Sequence, residues 1–224
     1  MTGTPNDAVF VVKRSLSYRE GVELQRSILA SMAADPGLPA HIILAEHLPV
    51  VTCGRTGDGS NLLVAPAELA ARGIEYHPAG RGGDVTYHGP GQWTVYPLVR
   101  LAWYGKDLHR YLRLLEECAI RFLAAYGVGG GRRPGLTGAW VGDGKVAAVG
   151  VAVSRWISWH GFALNICPDL SCFTGFMHPC GIRANQGAVA SLESLTGGGH
   201  TLESTEPVLR RTLLDVLNLT ERES

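Results

Sequence analysis

The sequence predicts an α+β fold, a single domain with a mostly antiparallel, mixed sheet flanked by helices. Three observations predict it. Hydrophobic residues are 46% of the 224, enough for a sizeable core. Short strand-like runs follow one another with brief turns, and a few segments of helical periodicity stand among them. No period of 20–50 residues repeats and no linker-like tract divides the chain, so one domain over residues 1–224 is the simplest account.

The elements follow in order. Residues 9–13 open as a strand. Ser17, with Glu20 three residues on, forms a capping box for a helix to about Met32. Residues 41–45 and 74–77 read as strands, with a short helix at 66–72 between them, and 92–98 as a further strand. Asp107 caps a longer helix whose Leu108, Leu112, Leu115, Ala119 and Phe122 recur at steps of four and three. The glycine-rich stretch 127–135 reads as a flexible loop. Residues 138–141 and 145–153 make a hairpin, its Asp143-Gly144 dipeptide supplying positive φ. A strand at 158–167 follows, and a last helix at about 205–217.

Charge narrows the partners. Lys+Arg and Asp+Glu both number 20, for a formal net charge of 0. The longest basic runs are the pairs Arg132–Arg133 and Arg210–Arg211, which read as solvated faces. Nucleic acid and anionic membrane surfaces are therefore not expected partners. The longest apolar stretch, residues 146–153, is far shorter than the 18 or so that span a bilayer. The opening MTGTPNDAVF lacks the basic and apolar regions of a signal peptide. The expected location is cytoplasmic, with Cys53, Cys118, Cys167, Cys172 and Cys180 reduced.

Three segments concentrate reactive residue types. Residues 81–98, RGGDVTYHGPGQWTVYPL, place Arg81, His88 and Gln92 among glycines that admit another backbone or a ligand. In its extended part Thr86 and His88 share one face, and Val85 and Tyr87 the other. The segment reads equally as a site or as a glycine-rich hairpin with a satisfied histidine. Lys145 opens an apolar strand, where it either snorkels to solvent or sits desolvated and able to exchange protons near neutral pH. The surrounding glycines do not have phosphate-loop spacing, and Val146 stands where Ser or Thr is needed. Cys180 lies in a Pro-Cys-Gly turn, an accessible place for a nucleophile or metal ligand. Cys172, His178 and Cys180 invite a zinc reading, but no second Cys or His pair completes it, so no metal is expected.

Together these segments resemble a known family. The pattern Arg-Gly-Gly-x-x-Thr-Tyr-His-x-x-Gly-Gln-x-x-x-Tyr from Arg81 to Tyr96 is similar to the signature of the octanoyltransferases of lipoate biosynthesis. So is the order of the later motifs: Thr137-Gly-Ala-Trp-Val141, Lys145-Val-Ala-Ala-Val-Gly150, His160-Gly-Phe-Ala-Leu-Asn165 and Pro179-Cys-Gly-Ile182. Upstream, residues 47–55 look like the family's early strand and turn. The resemblance covers about residues 10–218. Ala190 departs from the family's usual Thr, outside the catalytic motifs.

The resemblance implies a fold like the catalytic domain of biotin and lipoate protein ligases. It implies transfer of an octanoyl group from octanoyl-acyl carrier protein to a lysine on lipoyl domains of 2-oxoacid dehydrogenases and on the glycine-cleavage H protein. Cys180 matches the acyl-carrying cysteine and Lys145 the lysine that activates it. Arg81, Gly82, Gly83, Asp84, Val85, Thr86, Tyr87 and His88 match substrate-contacting positions. So do Ala148, Val149, Gly150, Gly161, Phe162 and Ala163. The implied chemistry needs no cofactor, because exchanging one thioester for another is close to isoenergetic and aminolysis to an amide is downhill. An ammonium beside a thiol favours the thiolate, and a buried octanoyl chain contributes about 0.8 kcal/mol per CH₂. Three rivals are an ATP-dependent ligase of the same fold, a binding module that has kept the fold, and a cysteine hydrolase using His88 or His160.

Overall fold

The computed structural model describes residues 6–182 and 186–222. Strand β1 (Asp7–Leu16) gives way to α1 (Tyr18–Ala34) at Ser17. There the Ser17 hydroxyl accepts from the Glu20 N–H and the Glu20 carboxylate accepts from the Ser17 N–H. Then come β2 (Ala40–His47), β3 (Val50–Cys53), α2 (Pro66–Ala70), β4 (Glu75–Pro78), β5 (Val85–His88) and β6 (Gln92–Leu98). Asp107 accepts from the Arg110 N–H at 3.0 Å and starts α3 (Leu108–Ala124). The second half holds β7 (Gly131–Arg133), β8 (Leu136–Val141), β9 (Gly144–Ser154), β10 (Ile157–Asn165), β11 (Ala188–Val189), α4 (Leu192–Thr196), α5 (Leu202–Leu217) and β12 (Thr220–Glu221).

Among the described residues the strands form two sheets. The larger has the order β12-β1-β2-β6-β10-β9-β8-β7, with β11 beside β9. Strand β1 runs parallel to β2 and β12, and β11 parallel to β9; the other neighbours are antiparallel. The predicted mixed, mostly antiparallel sheet is what forms. Its central strands are apolar on both faces because both are covered. Ile42 and Leu44 of β2, with Trp93 and Val95 of β6, pack under Leu115 and Phe122 of α3 and Leu213 of α5. Their neighbours Ile43, Ala45, Tyr96 and Leu98 point the other way and pack with Met32 of α1, the two-residue period of a strand. The smaller sheet, β4-β3-β5, has its own core of Val51, Val85, Tyr87, Phe173 and Phe176.

Four expectations need correction. The stretch 127–135 is not all loop, because residues 131–133 pair with β8. Side-chain contacts hold them there: Arg132 pairs with Glu116 and Glu117, and Arg133 lies over the Trp140 ring. In the β8–β9 turn the positive φ, 55°, belongs to Gly142, not to Gly144. The last long helix begins at Leu202, where the Thr201 hydroxyl accepts from the Ser204 N–H. Strand β10 ends at Asn165, where Ile166 and Cys167 turn their N–H groups to the Gly91 carbonyl. Among the described residues no helix is long and apolar enough to cross a membrane.

Candidate active site

Both sheets wall a cavity of about 380 Å³. Its floor comes from small residues aligned by register: Ala163 and Gly161 of β10 lie beside Ala148 and Gly150 of β9. On the other side Thr94 pairs with Ala163. The opposite wall is the Arg81–Asp84 segment with Thr86 and His88. Gly82 donates its N–H to the Val151 carbonyl at 2.9 Å, tying that segment to β9. A side chain on Gly150 would meet the Gly82 carbonyl oxygen at 2.7 Å, so the close approach needs glycine there.

Twelve of the fourteen expected substrate-contacting residues line this cavity: Arg81, Gly82, Gly83, Asp84, Thr86, His88, Ala148, Val149, Gly150, Gly161, Phe162 and Ala163. Val85 and Tyr87 do not. They face the smaller core, where the Tyr87 ring meets Phe173 edge-on at 5.3 Å. Strand alternation forbids Val85 and Thr86 from sharing a face.

Cys180 and Lys145, 35 positions apart in the chain, both line this cavity and a small annex of about 20 Å³ beside it. Cys180 is half-buried in the turn Pro179–Gly181, with left-handed backbone at φ 56° and ψ 26°. A non-glycine residue there is strained by about 1–2 kcal/mol, and such strain collects at functional sites. The turn is held from outside: His178 donates its N–H to the Asn61 carbonyl at 2.8 Å, and the Asn61 amide donates to the Asp84 carboxylate. Asp84 thus supports the cysteine turn from within the Arg81–His88 motif.

Lys145 is only 7% exposed, which rules out the snorkelling alternative. Its stem passes Gly138, where a Cβ would lie 2.7 Å from the lysine Cε, and its Nζ sits 5.5 Å from the Trp140 ring centroid. The Gly138 N–H donates to the fully buried Glu116 carboxylate at 3.0 Å, which also pairs with Arg113 and Arg132.

His88 answers a question the sequence leaves open. Its Nδ1–H donates to Gln92 Oε1 at 2.8 Å, since the Gln92 Nε2 donates to Asn165 Oδ1. Asn165 Nδ2 donates to the Ala190 carbonyl, and the Ala190 N–H to the Lys145 carbonyl. Burial, aided by His47 and Arg81 nearby, holds His88 down to about 3. It is therefore neutral near pH 7 and anchors a buried hydrogen-bond network through Gln92 and Asn165. Arg81 donates Nη2 to the Thr52 carbonyl and hydroxyl and Nη1 to the Gly82 carbonyl. Among the described residues no three His, Cys, Asp or Glu side chains gather as a metal site.

The lining residues that sequence reasoning missed include Tyr18, Thr94, Tyr96 and His160. His160 heads a quoted motif and was within reach. Tyr18, in the first turn of α1, carries no sequence signal.

Comparison with known proteins places this geometry. A model of the family "Lipoyl protein ligase A/B catalytic domain" matches residues 17–214. A protein of Gloeobacter violaceus named octanoyltransferase is 43% identical, over 86% of this chain and 82% of its own. An octanoyltransferase of Nostoc punctiforme is 47% identical over 75% of this chain and 71% of its own. Among solved structures, an archaeal bipartite lipoate protein ligase from Thermoplasma acidophilum overlays with TM-score 0.79 at 15% identity. The match covers 99% of this chain and 87% of that one. Biotin protein ligase from Aquifex aeolicus overlays with TM-score 0.56 at 10% identity, covering 95% and 70%. At those identities the structures attest the shared fold.

Proposed function

We propose, from the premise that this chain belongs to the lipoyl protein ligase A/B catalytic domain family and stands among its octanoyltransferases, that it transfers its acyl group through Cys180 with Lys145 as proton carrier. The donor is octanoyl-acyl carrier protein, and the acceptors are lysines of lipoyl domains and of the glycine-cleavage H protein. The observation that supports this reading is the convergence of Cys180 and Lys145 on one end of one cavity, with an alkyl-sized floor running away from them.

In the first step Lys145 takes the Cys180 proton, and the thiolate attacks the donor thioester carbonyl. The carbon–sulfur bond to the carrier breaks, and the departing thiolate takes the proton back from Lys145. An octanoyl-cysteine thioester remains. In the second step the acceptor amine attacks that thioester, the amide forms, Cys180 leaves as thiolate, and Lys145 receives the amine proton. Each step balances without ATP, metal or redox partner. Arg81–His88, Ala148–Gly150 and Gly161–Ala163 line the acyl site, except that Val85 and Tyr87 support it from behind. Residues 1–224 are read as one catalytic domain working in the cytoplasm.

Incubation with octanoyl-acyl carrier protein and no acceptor should add one octanoyl mass, mapped to residue 180. Transfer to a lipoyl domain should then proceed without ATP or magnesium. An adduct on Cys172, or full activity in Cys180→Ala, overturns the mechanism. A requirement for ATP assigns the chain to the ligase reading that its fold also allows.

A further inference from the structure

Two ends of the cavity are told apart by the pockets they adjoin. Lys145, Cys180, Thr86, Ala148 and Ala163 also line the small annex. Tyr18 and His160 instead also line a second cleft of about 230 Å³ beside α1, next to Arg26 and Trp159. These two side chains are the partition between the cavity and that cleft.

His160 is held there against its backbone preference. Inside β10 it has φ 55°, where non-glycine residues are uncommon. Its N–H donates to Gln25 Oε1 at 2.7 Å, and Gln25, fully buried in α1, donates its own amide to the Gly21 carbonyl. The His160 ring stacks on Trp159 at 4.2 Å and meets Tyr96 edge-on at 6.2 Å. A strained residue clamped from a second element points to function. The Nε2 of His160 and the hydroxyl of Tyr18 are buried, and neither has a hydrogen-bond partner among the described residues.

Distance connects the two ends. Ala163 and His160 are three residues apart on β10, about 10 Å at about 3.3 Å per residue. The seven carbon–carbon bonds of an octanoyl chain, about 1.5 Å each, zigzag over roughly 9 Å. Resting on the reading of this cavity as the acyl site, we propose that the polar atoms of Tyr18 and His160 end the acyl slot and set the chain length the enzyme accepts. Buried polar atoms without protein partners are satisfied by water. A chain longer than eight carbons drives methylenes into that water and leaves both atoms without hydrogen bonds. A shorter chain loses contact with the alanine and glycine floor. The limit is set by the solvation of these polar atoms rather than by the bulk of the two rings.

The full chain should be assayed for transfer from octanoyl- and decanoyl-acyl carrier protein to a lipoyl domain, as wild type, Tyr18→Phe and His160→Phe. Tyr18→Phe removes only the hydroxyl, and His160→Phe replaces both ring nitrogens with a somewhat larger apolar ring. The decanoyl-to-octanoyl ratio of kcat/KM should rise at least about fivefold in Tyr18→Phe, and in His160→Phe as well. An unchanged ratio in a folded Tyr18→Phe overturns the proposal and leaves shape as the determinant; if that variant does not fold, His160→Phe decides in the same way. Wild type that transfers no octanoyl group refutes the functional reading itself. Wild type that transfers through Cys180 with an unmoved ratio refutes only the present inference.

Discussion

Gly138 and Cys180 mark the two backbone demands of the proposed Cys180–Lys145 pair. A Cβ on Gly138 would lie 2.7 Å from Lys145 Cε and press on the Ala147 carbonyl oxygen, and its φ is 137°. Gly138→Ala should therefore push the lysine aside. We expect kcat to fall at least about tenfold with KM little changed, because the lost alignment is felt in the transition state. Cys180 carries the opposite strain. Cys180→Gly should abolish transfer yet raise the unfolding free energy by up to about 1 kcal/mol, since glycine adopts left-handed backbone freely. Denaturant titration beside an activity assay checks both halves. Lys145→Met should cost about 10² or more in transfer, the low end for a lost general acid–base. Lys145→Arg should not rescue it, because guanidinium does not give up its proton. Intact transfer in Lys145→Met would reduce the lysine to a buried strand residue.

At the scale of elements, α3 does more than cover the sheet. Its Glu116, fully buried, accepts from the Gly138 N–H and pairs with Arg113 and Arg132, so the helix holds the strand that shapes the lysine's path. The two arginines are partly exposed, so removing the carboxylate leaves Arg113 to water and Arg132 to Glu117, and leaves the Gly138 N–H without its acceptor. Glu116→Leu should destabilise by about 1–3 kcal/mol, the usual loss for an orphaned buried group. It should also lower kcat, while Arg113→Ala should do neither strongly. Thermal unfolding with steady-state kinetics separates the two. Helix α1 has the corresponding role on the other face, since its Gln25 fixes the His160 backbone.

For the whole molecule, buried histidines govern the response to acid. Burial, with arginines nearby, holds both His88 and His160 down to about 3, against about 6.5 in an unfolded chain. Between those values the unfolded chain binds protons that the native one refuses, so stability falls as pH drops through that window and is fully present above it. Each histidine adds a slope of up to about 1.4 kcal/mol per pH unit there. The urea midpoint should decline from pH 7 to pH 4.5, and His88→Asn should remove about one proton from the slope. A flat profile would mean that these side chains are hydrated in the native state.

Local structure and the chemistry are legible along the chain. Ser17 with Glu20 and Asp107 mark two helix starts, alternation separates Val85 and Tyr87 from Thr86 and His88, and the motif residues point to the octanoyltransferases. Those signals lie within a few residues of one another or in residue identity, so no folded partner is needed to read them. Packing between distant elements settled the rest. It turned part of residues 127–135 into an edge strand through Glu116 and Glu117, and it buried Lys145 against Gly138 and Trp140. It made His88 a neutral anchor, and it brought Tyr18 of the first helix to the far end of the cavity beside His160. No local pattern encodes these outcomes, because burial and left-handed backbone are stabilised by contacts that form only when separate elements pack.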